Sequence, residues 1–189
     1  MIQVIITSVF LGVGLAMDAC AVSMSNGLNE PEMKIKKVIL IALMFGLFQA
    51  IMPFIGYLVG AAFLKKIEWI IPWLALGLLG FIGGKMLIEG VSKKEKEEKV
   101  SKLTFKVLLV QAIATSIDAL SVGFTISDYT MLEAIICVSV VAIVTFIISF
   151  FAVHIGKKFG TKLDNEAAIL GGIILIAIGI EIFVSHMFF

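Results

Sequence analysis

Apolar residues run along this chain in six blocks, at about 2–25, 36–61, 67–90, 104–126, 131–156 and 166–188, separated by short polar links. As a helix, each block is long enough to cross the hydrocarbon layer of a bilayer, which takes about 20 residues. Strands of a membrane barrel would alternate apolar and polar positions over about ten residues, whereas here both parities are apolar. The pattern predicts an all-α polytopic membrane protein with six transmembrane helices and almost no soluble part.

Two of the blocks carry an acid near the middle. Asp18 stands in Asp18-Ala19-x-x-Val22 and Asp118, one hundred positions later, in Asp118-Ala119-x-x-Val122. A carboxylate at bilayer depth costs about 2.5–3.5 kcal/mol on insertion scales, so one that is kept marks an ion or proton site. Other matches accompany the acids. Ile55-Gly56 and Gly60 recur at an offset of 100 as Ile155-Gly156 and Gly160. Leu74, Leu79, Ile82 and Gly83 recur at an offset of 96 as Leu170, Leu175, Ile178 and Gly179. Together they divide one integral membrane domain into a first three-helix repeat over 1–91, a charged linker over 92–103 and a second repeat over 104–189. Three is an odd number, so the second repeat enters the membrane in the opposite sense. Inverted-topology repeats of this kind hold their ion site near the midplane, where the repeats meet.

Composition agrees with the block pattern: 60% of residues are hydrophobic and 15% charged, against about 45–50% and 25% in soluble domains. A formal net charge of +1 gives no footprint for nucleic acid. The placement of charge says more than its sum. All fifteen basic residues are lysines, and the links after the first, third and fifth blocks hold twelve of them: Lys34, Lys36, Lys37, Lys93, Lys94, Lys96, Lys99, Lys102, Lys106, Lys157, Lys158 and Lys162. The opposite side holds Lys65 and Lys66. Because cytoplasmic loops carry the excess of lysine and arginine, both termini are expected outside and segment 92–102 in the cytoplasm. The first block has no basic residue before it and contains Asp18, so it reads as a span and not as a cleavable signal. Cys20 and Cys137 lack metal-ligand spacing and read as small buried apolar groups. His154 and His186 show no ligand spacing either.

Polar side chains gather around both acids: Met17, Ser23, Ser25 and Asn26 in the first half, and Thr115, Ser116 and Ser121 in the second. Oxygen ligands suit a hard or borderline divalent ion, and a thioether from Met17 would favour a transition metal. Gln49 precedes Pro53 by four residues; proline removes the backbone donor that residue 49 would receive. A freed carbonyl and an amide side chain are then expected to face a cavity. Lys85 and Glu181 align at the offset of 96, and each is expected to be buried enough to need a partner. Lys85 would neutralise an empty carboxylate site. Glu89, nearer the cytoplasmic end of its span, reads as an interfacial anchor or an entrance charge. The candidate metal ligands are therefore Asp18, Asp118, Met17, Gln49, Thr115, Ser121 and Glu181, with Lys85, Glu89 and Asn26 as coupling or gating residues.

Several runs together resemble the MntP family of bacterial manganese efflux pumps. They are Met17-Asp18-Ala19, Phe45-Gly46-x-x-Gln49-x-x-Met52-Pro53, Gly83-Gly84-Lys85-Met86-x-Ile88-Glu89-Gly90, Ala112-x-Ala114-Thr115-Ser116-x-Asp118-Ala119 and Ile169-Leu170-Gly171-Gly172. The resemblance covers essentially the full length. It implies a secondary transporter, not an enzyme, that exports Mn²⁺ as its substrate across the bacterial cell (inner) membrane without a cofactor. It also places Asp18 and Asp118 at the family's acidic positions. Moving a divalent cation outward costs about 4.6 kcal/mol per 100 mV of inside-negative potential. The sequence shows no nucleotide-binding loop, so proton antiport is the expected coupling. Alternatives are an exporter of another divalent cation, a passive cation channel and, less well matched, a membrane-embedded aspartyl enzyme whose acids share a proton.

Overall fold

The computed structural model describes residues 2–59, 71–91, 103–126, 129–163 and 166–188. Among them every regular element is a helix: α1 (Ile2–Asn29), α2 (Ile35–Val59), α3 (Ile71–Val91), α4 (Phe105–Thr115), α5 (Ile117–Thr125), α6 (Met131–Leu163) and α7 (Glu166–Phe188). α4 and α5 form one apolar unit interrupted at Ser116. Among the described residues four stretches are long and apolar enough to cross a membrane: α1, α2, Phe105–Gly123 in the α4–α5 unit and Met131–Gly160 in α6. The outer faces of these helices are themselves apolar. Ile6, Phe10 and Val13 on α1, Leu43 and Leu47 on α2, and Ile143, Ile147 and Phe151 on α6 are all exposed. Such a surface is stable against lipid and not against water. This is a multi-pass membrane protein. Linker 92–102, Lys65 and Lys66 lie outside the described residues.

α1 and α6 lie side by side and run in the same direction, since Gly12 meets Val141 and Val144 while Gly27 meets Val153 and Gly156. α2 packs on α6 and on α5, and α3 pairs with α7. The α3–α7 pair is antiparallel: Trp73 meets Phe183 edge-on at 4.8 Å, and further along α3 Gly83 meets Gly172. Contacts across the ends fix which links share a side. Glu30 accepts from Lys37 Nζ and from the backbone N–H of Leu103 at 3.2 Å, while Lys157 Nζ donates to the Met33 carbonyl at 2.7 Å. The α1–α2 link, the start of α4 and the end of α6 therefore meet at one end of the bundle. At the other end, Tyr57 OH donates to the Tyr129 carbonyl at 2.9 Å. α6 begins there with a capping box, in which Thr130 N–H donates to Glu133 Oε2 and Glu133 N–H to Thr130 Oγ1.

Pro53 does not end its helix. α2 runs through it to Val59, because Pro53 is buried against α5 and tertiary packing holds the turn together. That packing depends on absent side chains. A Cβ on Gly27 would lie 2.3 Å from the Val153 carbonyl oxygen, and one on Gly156 2.2 Å from that of Met24. Gly56 and Gly123 make the corresponding contact between α2 and α5, at 2.2 Å from Leu120 O and 2.4 Å from Pro53 O. Helices in lipid associate through such close backbone approach, since no hydrophobic force drives them together.

Gly156→Ala is expected to destabilise the folded protein by about 1–3 kcal/mol, because backbone must move to admit the methyl. Gly14→Ala, with no atom within 4 Å of the new Cβ, is expected to stay within about 0.5 kcal/mol of the parent. Thermal unfolding midpoints in detergent check both.

Candidate metal centre

Asp118 owes its position to the break between α4 and α5. The Thr115 hydroxyl donates to the Gln111 carbonyl at 3.0 Å and the Ser116 hydroxyl to that of Ala112 at 2.7 Å. Ser116 N–H reaches back only three residues, to Ile113 O at 3.2 Å, with φ −108° and ψ 6°. The turn tightens, α4 stops, and a new helix begins with Asp118 in its first turn. An N-terminal turn favours a negative charge. Asp118 Oδ1 accepts from the Ala119 N–H at 2.8 Å. Asp18, by contrast, sits inside the unbroken α1. Both acids are half-buried, and they lie close enough to interact electrostatically.

α2 inserts an amide beside the pair. Gln49 is fully buried, and its Nε2 donates to the Leu15 carbonyl at 2.9 Å and to the Thr115 carbonyl at 3.0 Å. Its Oε1 is buried without a hydrogen-bond partner. A second amide contact joins α1 to α4. Asn26 Nδ2 donates to Gln111 Oε1 at 2.8 Å, and Gln111 Nε2 donates to Asn26 Oδ1 at 3.2 Å. Gln111 was not singled out in the sequence. The signal was there, since a glutamine in an apolar span needs a partner as much as an asparagine does.

The remaining candidates divide. Thr115 is buried at the break, with its hydroxyl hydrogen directed to its own helix. Ser121 is half-buried one turn beyond Asp118 on α5. Met17 is 62% exposed, on the outer stripe of α1 with Phe10 and Val13. Lys85, expected to be buried, is exposed. Helical periodicity puts it on the stripe of α3 that carries Phe81 and Ile88, which are 74% and 71% exposed. Glu89 and Glu181 fall on α3 and α7, but their side chains lie outside the described residues. Ser25 donates to the Gly171 carbonyl at 3.0 Å. Ser23, Thr145 and Ser149 bury hydroxyl oxygens without a partner.

Among the described residues, no group of three or more His, Cys, Asp and Glu side chains comes together. The oxygens available near the acids are those of the two carboxylates and of the neutral groups around them. Carboxylate, carbonyl and hydroxyl oxygens suit Mg²⁺, Ca²⁺ and Mn²⁺, and two negative charges balance one divalent cation.

Comparison with known proteins identifies the family of the chain. Residues 32–183 match the family model described as "Putative manganese efflux pump". A protein named "Putative manganese efflux pump MntP" from Ruminiclostridium cellulolyticum is 46% identical over 182 residues, covering 96% of each chain. Proteins of the same name from Gloeothece citriformis and Methanosarcina mazei are each 42% identical. They cover 98% and 96% of this chain and 97% of their own length. No solved structure matches. A family model over most of the length, and relatives this similar from end to end, establish that the chain belongs to the MntP family of manganese efflux pumps, which are transporters and not enzymes.

Proposed function

We propose that this protein is a secondary transporter that exports Mn²⁺ from the cytoplasm in exchange for protons, at a site built on Asp18 and Asp118. The observation that carries the reading is the convergence of these two acids, one from α1 and one from the first turn of α5, beside a buried amide. Gln49 Oε1 is the neutral donor best placed by its burial and its lack of a partner, with Thr115 and Ser121 as further oxygens. Met17 is left out of the ligand set by its outward stripe. A binding site of two carboxylates exchanges one divalent ion for two protons with no change in its own charge. That exchange lets the proton gradient drive the cation outward.

Six spans in two inverted repeats complete the proposal, with α3 and α7 as the third span of each. Support comes from burial at equivalent positions. Leu15, Ala16 and Ala19 are buried, as are Thr115, Ser116 and Ala119. Leu79 and Leu175, related by the offset of 96, are both fully buried. The packing is also consistent with a twofold relation, since α1 lies on α6 as the α4–α5 unit lies on α2. Lys34, Lys36, Lys37, Lys106, Lys157 and Lys158 gather at the end where Glu30 meets Leu103, which is the cytoplasmic end by the positive-inside rule. On that reading both termini are outside. The Asn26–Gln111 pair then lies on the cytoplasmic side of the acids and joins α1 to α4 there. Opening that side replaces two protein hydrogen bonds with hydrogen bonds to water.

Asp18→Asn and Asp118→Asn are each expected to lower Mn²⁺ transport by more than about 100-fold, beyond the effect of losing an outer-shell contact, with membrane abundance unchanged. Activity that falls only in proportion to abundance would reveal a structural role and end the proposal. Coupling has its own test in proteoliposomes. Vesicles with an acidic lumen are expected to accumulate Mn²⁺ and to stop when a proton ionophore collapses the gradient. Flux that ignores the gradient removes antiport and leaves passive conduction.

A further inference from the structure

The two carbonyls that Gln49 holds are not arbitrary. Leu15 and Thr115 are one hundred positions apart, and each precedes its aspartate by three residues. One amide nitrogen thus bonds at the same register to both acid-bearing segments, at 2.9 and 3.0 Å. Its side chain is fully buried in α2, and α2 itself is held against α5 by the Gly56–Gly123 contact and against α6 by Gly46. The anchor is therefore rigid at its own end.

The two bonds do different local work. Leu15 lies within a continuous helix, where its carbonyl has a second lone pair to share. Thr115 is the last residue of α4. The N–H that an unbroken helix would offer its carbonyl belongs to Ala119, and that N–H bonds to Asp118 Oδ1 instead. Gln49 supplies the donor that the break removes. It caps the end of α4, and in the same act ties that end to α1. Both amide hydrogens are committed, so the side chain cannot flip to satisfy Oε1, which stays buried without a partner. A residue chosen only to fill space at this point would be apolar.

We infer that Gln49 is a positioning residue for the acidic pair: its amide N–H groups bridge Leu15 and Thr115, and so fix the separation of Asp18 and Asp118 at which a divalent cation is held. The inference rests on the proposed ion site and deepens it. It gives the amide nitrogen a role distinct from any role of the amide oxygen as a ligand.

Gln49→Glu and Gln49→Met separate these roles. The first keeps an oxygen and the length but loses both N–H groups; the second keeps only length and volume. Positioning predicts that both raise the KM for Mn²⁺ by about tenfold in proteoliposomes, as expected when about 1.4 kcal/mol of bridging is lost. The thermal midpoint falls as well, because the Leu15 and Thr115 carbonyls lose a buried donor, so the KM carries the test. A ligand role alone predicts that Gln49→Glu holds or lowers the KM while Gln49→Met raises it. A purely structural role predicts a lower midpoint with KM unchanged. Either pattern overturns the inference. Should Gln49→Met fail to accumulate, Gln49→Glu decides alone. Asp18→Asn in the same vesicles keeps the two levels apart. If it abolishes transport while both Gln49 variants keep the parent KM, only positioning falls; if it transports like the parent, the ion site falls and positioning with it.

Discussion

Two carboxylates close enough to interact electrostatically inside a lipid-facing bundle repel one another when both are ionised and lose hydration, and the helix packing around them has to hold against that repulsion. Flexible helices would relieve such a repulsion by sliding apart. Here they are prevented at the backbone. α1 is clamped on α6 through Gly27 and Gly156, and α5 on α2 through Gly56 and Gly123. Amide bridges at Gln49 and at Asn26–Gln111 then join the two pairs. The glycines remove the side chains that would keep these helices apart, and the amides satisfy polar groups that lipid cannot. On the proposed reading, a cation between the acids replaces that repulsion with attraction to both, so the rigidity that makes the empty pair costly makes the occupied pair favourable.

The architecture was largely legible because lipid imposes simple rules. Block length gave the all-helical membrane class, and among the described residues four stretches are long and apolar enough to span. Asp18 and Asp118 were readable as a pair since chemistry and spacing recur together. The lysine links were also readable, and contacts such as Glu30 with Leu103 and Lys157 with Met33 gather three of the predicted cytoplasmic segments at one end. Side-chain direction was less legible. An all-apolar helix gives little amphipathic contrast, so nothing in the pattern showed that Lys85 shares a stripe with Phe81 and Ile88, or that Met17 shares one with Phe10. Burial inferred from membrane depth is not burial in the protein.

The helix break shows the same limit from another direction. Pro53 is the one proline inside the second apolar block, yet α2 continues through it. The interruption comes at Ser116, in a run of Ala, Thr, Ser and Ile with no glycine or proline. Hydroxyls at Thr115 and Ser116 offer the preceding carbonyls an alternative partner, which weakens the ladder without announcing a turn. Gln49 then receives the exposed carbonyl of Thr115. The break became visible only when a residue 66 positions away in sequence was seen to complete it.

On the proposed reading, the two halves are alike around the acids and unlike to either side of them. On one side of the acids α1 meets α4 through Asn26 and Gln111, two amides joined by reciprocal hydrogen bonds. The positions one hundred away, Ile126 and Leu11, are apolar, and Leu11 packs against the cluster of Ile126, Cys137 and Val138. Water competes for the first contact and not for the second. Separating the amides exchanges one set of hydrogen bonds for another, at a net cost of about 0.5–1.5 kcal/mol each. Separating the apolar contact exposes surface at about 25 cal/mol per Å². Contacts of such unequal chemistry on the two sides of the acids have no physical reason to open equally.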